Sequence, residues 1–101
     1  MVLYNETVGI DSETEQEWLK WMQEDQIPKV MATGYFTEFK IYKVLSQEDE
    51  ASVSYSVQYF SENLHQVVEY LNTAAKALAE DHMRKFKNRH VAFRTLLQQV
   101  V

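Results

Sequence analysis

The sequence predicts an α+β fold in the order β-α-β-β-α-β, and three features of its 101 residues carry that prediction. VLYNETVGI at residues 2–10 and SVSYSVQYF at 52–60 alternate side chains with the period of a half-covered strand. Residues 13–25 and 63–86 space their apolar positions three and four apart, as amphipathic helices do. The only proline and one of two glycines, Pro28 and Gly34, fall together in EDQIPKVMATGYF, between the first helix and the second strand.

Taken in order, the first strand puts Val2, Tyr4, Val8 and Ile10 on one parity, interrupted by Glu6, and Leu3, Asn5, Thr7 and Gly9 on the other. Ser12 followed by Glu15 has the spacing of a capping box, and Asp11, Glu13, Glu15 and Glu17 suit the positive end of a helix dipole. That helix should start near residue 13, carry Trp18, Leu19, Trp21 and Met22 as its apolar stripe, and fade at Glu24 and Asp25. Ile27, preceding a proline, should leave the α region, with Pro28 opening a short kinked turn that Gly34 ends in a left-handed conformation. YFTEFKIYKVL, residues 35–45, is apolar on both parities in places and predicts a long strand covered on two sides. The acidic SQEDE should be a solvated hairpin tip leading into the strand at 52–60. Asn63 with Gln66 can cap a long helix whose stripe runs through Leu64, Val67, Val68, Leu71, Leu78, His82, Met83 and Phe86. The last strand, HVAFRTLLQQV, puts Val91, Phe93, Thr95 and Leu97 on one face and His90, Ala92, Arg94 and Leu96 on the other.

This order is the split βαβ, ferredoxin-like arrangement: one domain, residues 1–101, with two helices over one face of a four-stranded antiparallel sheet. By parity the other face should carry Asn5, Thr7, Ser54, Ser56, Gln58, Ala92, Arg94 and Leu96, with Phe36 or Tyr42 from the second strand. That mixture is too polar for a dry core and too rich in large side chains for plain surface. A homodimer pairing two such faces accommodates it.

Composition narrows the function. A formal charge of −5 repels phosphate backbones and anionic lipid, so neither nucleic acid nor a membrane is expected as a partner. The chain has no cysteine, which removes thiol nucleophiles, thiolate metal sites and disulfides and agrees with a cytoplasmic setting. His65, His82 and His90 lack the spacing of a zinc site, and no metal is expected. There is no P-loop, GxGxxG or GxSxG motif.

Among the remaining residues, His82 stands on the apolar stripe of the second helix, where an imidazole could serve as acid, base or ligand, or simply bond its neighbours in a core. Arg94 lies inside AFRTLL, where a guanidinium needs a partner: the carboxylate or phosphate of a small ligand, or an acid such as Glu6 or Glu38. Trp18 and Trp21, with Tyr35 and Phe36 beyond the kink, could wall a pocket for a planar ligand between helix and sheet, although at least one tryptophan should be core.

The segments YNETVGID, EWLKWMQEDQIPKVMATGYFTEFKIYKVL, YSVQYF and HMRKFKNRHVAFRTLLQQV resemble an uncharacterised bacterial domain-of-unknown-function family in the dimeric α/β-barrel superfamily. MATG-F and AFRTLL carry the resemblance, which spans nearly the whole chain. It implies two ferredoxin-like subunits paired sheet to sheet, in a superfamily that includes cofactor-free monooxygenases, haem-degrading enzymes, mutarotases and stress-induced barrel proteins. Asn5 and His82 occupy element positions similar to those of an asparagine and a haem-ligating histidine in the haem-degrading branch. The tryptophan that branch uses on the second helix has no counterpart here, which argues against haem, and no cofactor is expected. Mutarotase-like members carry a histidine just before the helix-breaking proline, a region where this chain has Gln26, so a general acid there is lost unless Glu24 replaces it.

Three functions follow as expectations. The first is a homodimer that binds a small organic molecule between helices and sheet, using Arg94, Trp18, Trp21, Phe36 and Asn5. The second is a cofactor-free monooxygenase or isomerase with His82 as its catalytic acid or base. The third is a structural dimer or interaction module without a ligand.

Overall fold

The computed structural model describes residues 1–46 and 51–101, so the acidic tip QEDE lies outside the described residues. The fold is the expected ferredoxin-like α+β arrangement. Strands β1 (Val2–Asp11), β2 (Glu38–Lys43), β3 (Ser52–Ser61) and β4 (His90–Gln98) form an antiparallel sheet in the order β2-β3-β1-β4. In the central strand, Tyr4 lies opposite Tyr59 of β3 and Leu96 of β4, and Glu6 lies opposite Val57 and Arg94. Alternation puts these residues on one face with Val8, Ile10 and Tyr55. All but the β4 members are buried, so this is the helix-facing side.

Here the structure corrects the reading of β4. Ala92, Arg94 and Leu96 point to the helix side, and Val91, Phe93, Thr95 and Leu97 share the outer face with Asn5, Thr7 and Ser56. The physical reason is position: β4 is an edge strand that the helices cover incompletely, so its more apolar parity is not pulled inward. The outer face is therefore more apolar than expected, with Val91 74 %, Phe93 62 % and Leu97 47 % exposed.

β2 is shorter than the strand expected over residues 35–45, and it is not covered on both sides: Phe39 and Tyr42 are both exposed. Phe36 precedes it and is buried in the helix-side core, stacked with Tyr4 and against Tyr59 and Tyr70, not on the outer face.

The first helical segment also departs in detail. Ser12 lies inside a 3₁₀ turn, Ser12–Thr14, and α1 (Glu15–Trp21) begins after Thr14 without a side-chain cap, so the capping box is not made. Glu15 instead accepts a hydrogen bond from the Tyr55 hydroxyl and pairs with Lys43 at 2.9 Å, fastening the start of α1 to β3 and β2. These two contacts, the tyrosine first, hold its carboxyl below the usual range. A π-helical turn, Met22–Gln26, then joins α1 to α2 (Ile27–Ala32). Pro28 has no N–H and its ring crowds the carbonyl four residues back. Widening the preceding turn, so that the Ile27 N–H bonds the Met22 carbonyl, relieves this and leaves Ile27 helical at φ −60°, ψ −45°. Gly34, at φ 83°, ends the helix as expected, its N–H bonding Met31 O at 3.2 Å.

Asn63 caps α3 (Leu64–Thr73) by accepting from the Gln66 N–H at 3.0 Å. α4 (Ala75–Lys85) follows after Ala74, across which backbone bonds continue from Ala74 to Tyr70 and from Leu78 to Ala74. The expected long helix is thus two nearly continuous pieces. Its buried stripe is narrower than its apolar pattern, since Leu64, Val68, Leu71 and Met83 are exposed. Asn88, at φ 65°, turns the chain into β4, a conformation asparagine tolerates better than most residues.

Candidate functional site

The gap between α4 and the helix-facing side of β4 is an open cleft of about 790 Å³, with His82, His90 and Arg94 on its walls. Each gets there by a different element. The apolar spacing of α4 turns His82 inward, where it is only 3 % exposed. The turn at Asn88 delivers His90 as the first residue of β4, and the pairing of β4 with β1 sets Arg94 beside Glu6.

His82 is held on all sides. Its Nε2 accepts the Trp18 indole N–H at 3.0 Å, and because an indole nitrogen only donates, that Nε2 carries no proton. Its ring stacks on His90 with centroids 4.5 Å apart, and Trp21 lies 5.4 Å away. Burial above all, then the neighbouring His90 and Arg94, push its pKa down to about 4. Near neutral pH His82 is an uncharged ring whose proton is on Nδ1. His90 lies 2.9 Å through Nδ1 from the Phe86 carbonyl, an acceptor only, so Nδ1 is the donor and Nε2 keeps its lone pair in the neutral ring.

Glu6 and Arg94 complete the cluster. Arg94 Nη2 is 3.8 Å from Glu6 Oε2, and the Glu6 side chain is 9 % exposed against 41 % for Arg94. Burial pushes the Glu6 carboxyl up, against the opposing pull of Arg94 and then His90. Burial, reinforced by Glu6, also pushes the Tyr4 hydroxyl up to about 12, although the positive charge of Arg94 opposes the rise.

The structure brings His82 and Arg94 together in this cleft and leaves the other four candidates elsewhere. Trp18 is fully buried behind His82 and against Tyr55, so it supports the histidine from the core side. Trp21 is partly buried and lines a shallow surface depression with Lys20 and Lys85. Phe36 sits in the aromatic core around Tyr4, Tyr59 and Tyr70. Asn5 faces the opposite side of the sheet, bonded to Thr7 at 3.0 Å and to Ser56 at 2.6 Å. Gln26 ties the first helical segment to α4 through a 3.1 Å bond to the Leu78 carbonyl. Sequence reasoning passed over Glu6 and His90 as site residues. The interruption of the first strand's apolar parity by Glu6 was a usable signal, whereas the stacking of His90 on His82 had none.

Haem fits these residues poorly. The Nε2 of His82 is engaged by Trp18, and Asn5 and His82 lie on opposite sides of the sheet, so they cannot flank one ring. Among the described residues no three His, Asp or Glu side chains gather as they would around a metal ion. Nor is any helix among them long and apolar enough to cross a membrane.

A family model described as a domain of unknown function, DUF4286, matches residues 1–100. No curated protein matches the chain. Solved structures share its fold at low identity. An EthD family protein from Bacillus halodurans has a TM-score of 0.70 at 11% identity, over 99% of this chain and 100% of that one. SnoaB, a cofactor-independent oxygenase from Streptomyces nogalater, has 0.61 at 6% identity, over 97% and 92%. A dimeric ferredoxin-like protein from an uncultured marine organism has 0.63 at 12% identity, over 100% and 99%.

Proposed function

Because the chain belongs to the DUF4286 family, whose function is unknown, its role has to be read from its own residues, and we propose a homodimeric protein that binds a small organic molecule in the α4–β4 cleft. One observation carries this reading: an open cleft of about 790 Å³ whose walls include a buried neutral histidine, a second histidine stacked on it and a half-exposed arginine. Titratable groups with displaced pKa values gathered at one concavity mark binding and catalytic sites more often than chance. In this reading residues 1–101 act as one domain, in the cytoplasm and without a cofactor. Arg94, His82 and His90 meet the ligand, Trp18 positions His82, and Phe36 and Asn5 serve the core and the outer face.

The dimer part of the proposal draws on the outer sheet face. Val91, Phe93 and Leu97 form an exposed apolar strip there, beside the polar Asn5, Ser56 and Gln58. A strip of this kind favours pairing with a second copy. The fold relative described as a dimeric ferredoxin-like protein agrees with that. Light scattering at micromolar concentration should give twice the 11.9 kDa chain mass. A monomer mass would sink the dimer reading.

A second reading is a cofactor-free monooxygenase or isomerase, favoured by His82, His90 and Arg94 at the cleft, with Glu6 buried beside Arg94, and by the fold shared with a cofactor-independent oxygenase. With the Nε2 of His82 engaged by Trp18, acid–base work would fall to His82 Nδ1 or to His90. A thermal-shift screen of metabolites and haem, repeated on His82→Ala, His90→Ala and Arg94→Ala, tests the site. Ligand-induced shifts should shrink in these variants, and shifts unchanged in all three would place the binding site elsewhere.

A further inference from the structure

Resting on the cleft as a ligand site, a second observation narrows the ligand's class. Glu6 is the one acidic side chain on the buried, helix-facing parity of β1, and its charged neighbour on that face is Arg94 at 3.8 Å, beyond hydrogen-bond reach. A guanidinium carries five N–H donors in a planar fork, and much of this one is exposed on the cleft side, so Arg94 retains capacity to hold a second carboxylate. We propose that the cleft takes a small organic monocarboxylate, which Arg94 grips from the cleft side while Glu6 takes up a proton and becomes its neutral neighbour.

The charge balance around Glu6 leads there. From β1 itself Tyr4 faces it, from β3 Val57 and Tyr59, from β4 Arg94 and His90, and from α3 Tyr70, with His82 of α4 behind His90 and Arg94. Burial keeps the three tyrosines protonated, and His82 is neutral, so Arg94 and His90 are the groups able to offset negative charge. Two carboxylates sharing one guanidinium away from water repel each other, and the more buried of the two takes the proton. Glu6 is that carboxyl, already held above the ordinary range by burial. Besides Arg94 the cleft is lined by Arg84, which pairs with Asp81 at 2.8 Å, and by Lys87 and Glu80, whose charges are opposite. About one positive charge is thus left for a ligand, which suits a monoanion better than a phosphate dianion. Ala79, Met83 and Ala92 give the cleft the carbon surface that the rest of an organic acid would need.

Benzoate is a suitable probe, with benzamide as its uncharged counterpart and inorganic phosphate as a competitor. Calorimetric titration of the unaltered protein near pH 7, in two buffers of different ionisation enthalpy, should show uptake of up to about one proton per benzoate bound. Glu6→Gln should abolish that uptake and tighten benzoate about tenfold, by removing the competing carboxylate. Arg94→Gln should weaken benzoate by a factor of about 30, and phosphate should not compete. No uptake in the unaltered protein, a result independent of how any variant folds, overturns the exchange, as does uptake that persists in Glu6→Gln. If benzamide binds as tightly as benzoate, or phosphate competes, the monocarboxylate class falls while the cleft reading stands. If neither aromatic probe binds, both fall together.

Discussion

Two halves of one sheet face behave as different materials. Over β1 and β3, Tyr4, Phe36, Tyr59 and Tyr70 form an aromatic cluster with ring centroids 5.0 to 6.3 Å apart, nearly closed to solvent. Toward β4 the same face carries Glu6, His90 and Arg94, with His82 of α4 above them, and opens into the cleft. Parity is identical in the two halves. What differs is helix cover: α3 packs on β1 and β3, while β4, at the sheet's edge, keeps Ala92, Arg94 and Leu96 exposed on its helix-facing side. The comparison teaches that coverage by the helix above decides whether an inward-facing residue becomes core or cleft wall.

The contrast can be tested by mutation, and the largest effect belongs to the aromatic half. Tyr4→Ala, at a position 2 % exposed, should lower unfolding free energy by about 3 to 5 kcal/mol in a urea titration. The equivalent truncation of Leu96, its exposed partner on β4, should cost well under half of that.

Next in size is a pH effect confined to the polar half. His82 has a folded-state pKa near 4 against 6.5 for a free ring, so above about pH 6.5 neither folded nor unfolded chain protonates it. As the pH falls from there toward 4 the unfolded chain takes up a proton that the folded chain refuses, and stability is lost, by about 3 kcal/mol in all. Melting curves between pH 7 and 4 should show this slope, and His82→Gln should flatten it. A slope unchanged in that variant would assign it to another group.

A smaller effect probes how dry the aromatic half is. The Tyr59 hydroxyl is buried without a hydrogen-bond partner among the described residues, and burial pushes its pKa up. Tyr59→Phe should therefore leave stability unchanged or raise it by up to about 1 kcal/mol, since no bond is lost and a desolvated group is removed. A loss above 1 kcal/mol would show that the hydroxyl is bonded in solution. Smallest of all, Arg84→Ala breaks a solvent-exposed 2.8 Å pair with Asp81 on α4 and should cost no more than about 0.5 kcal/mol.

Much of this was legible in the residues. Strand alternation and helical spacing placed every element in order, and Asn63 and Gly34 act where their chemistry put them. Pro28 is the instructive departure. Local rules expected a break before it, but tertiary packing of Ile27 and Val30 into the core kept the chain helical, and a π turn absorbed the proline. The candidate site was half legible: His82 and Arg94 stood out as costly residues on apolar elements and Glu6 as a break in an apolar parity and a possible partner of Arg94, whereas His90 gained meaning only from its neighbours.

Period and composition alone thus determined the element order and the ferredoxin-like fold, because hydrophobic spacing is local and each element carries its own. Only the tertiary structure decided which face of β4 turns toward the helices. Both parities of that strand are mixed, and an edge strand gains too little burial for its pattern to reveal the choice. Register with β1 made it, setting Arg94 against Glu6 and leaving Phe93 outside, and with it came both the polar cluster of the cleft and the apolar strip on the opposite face.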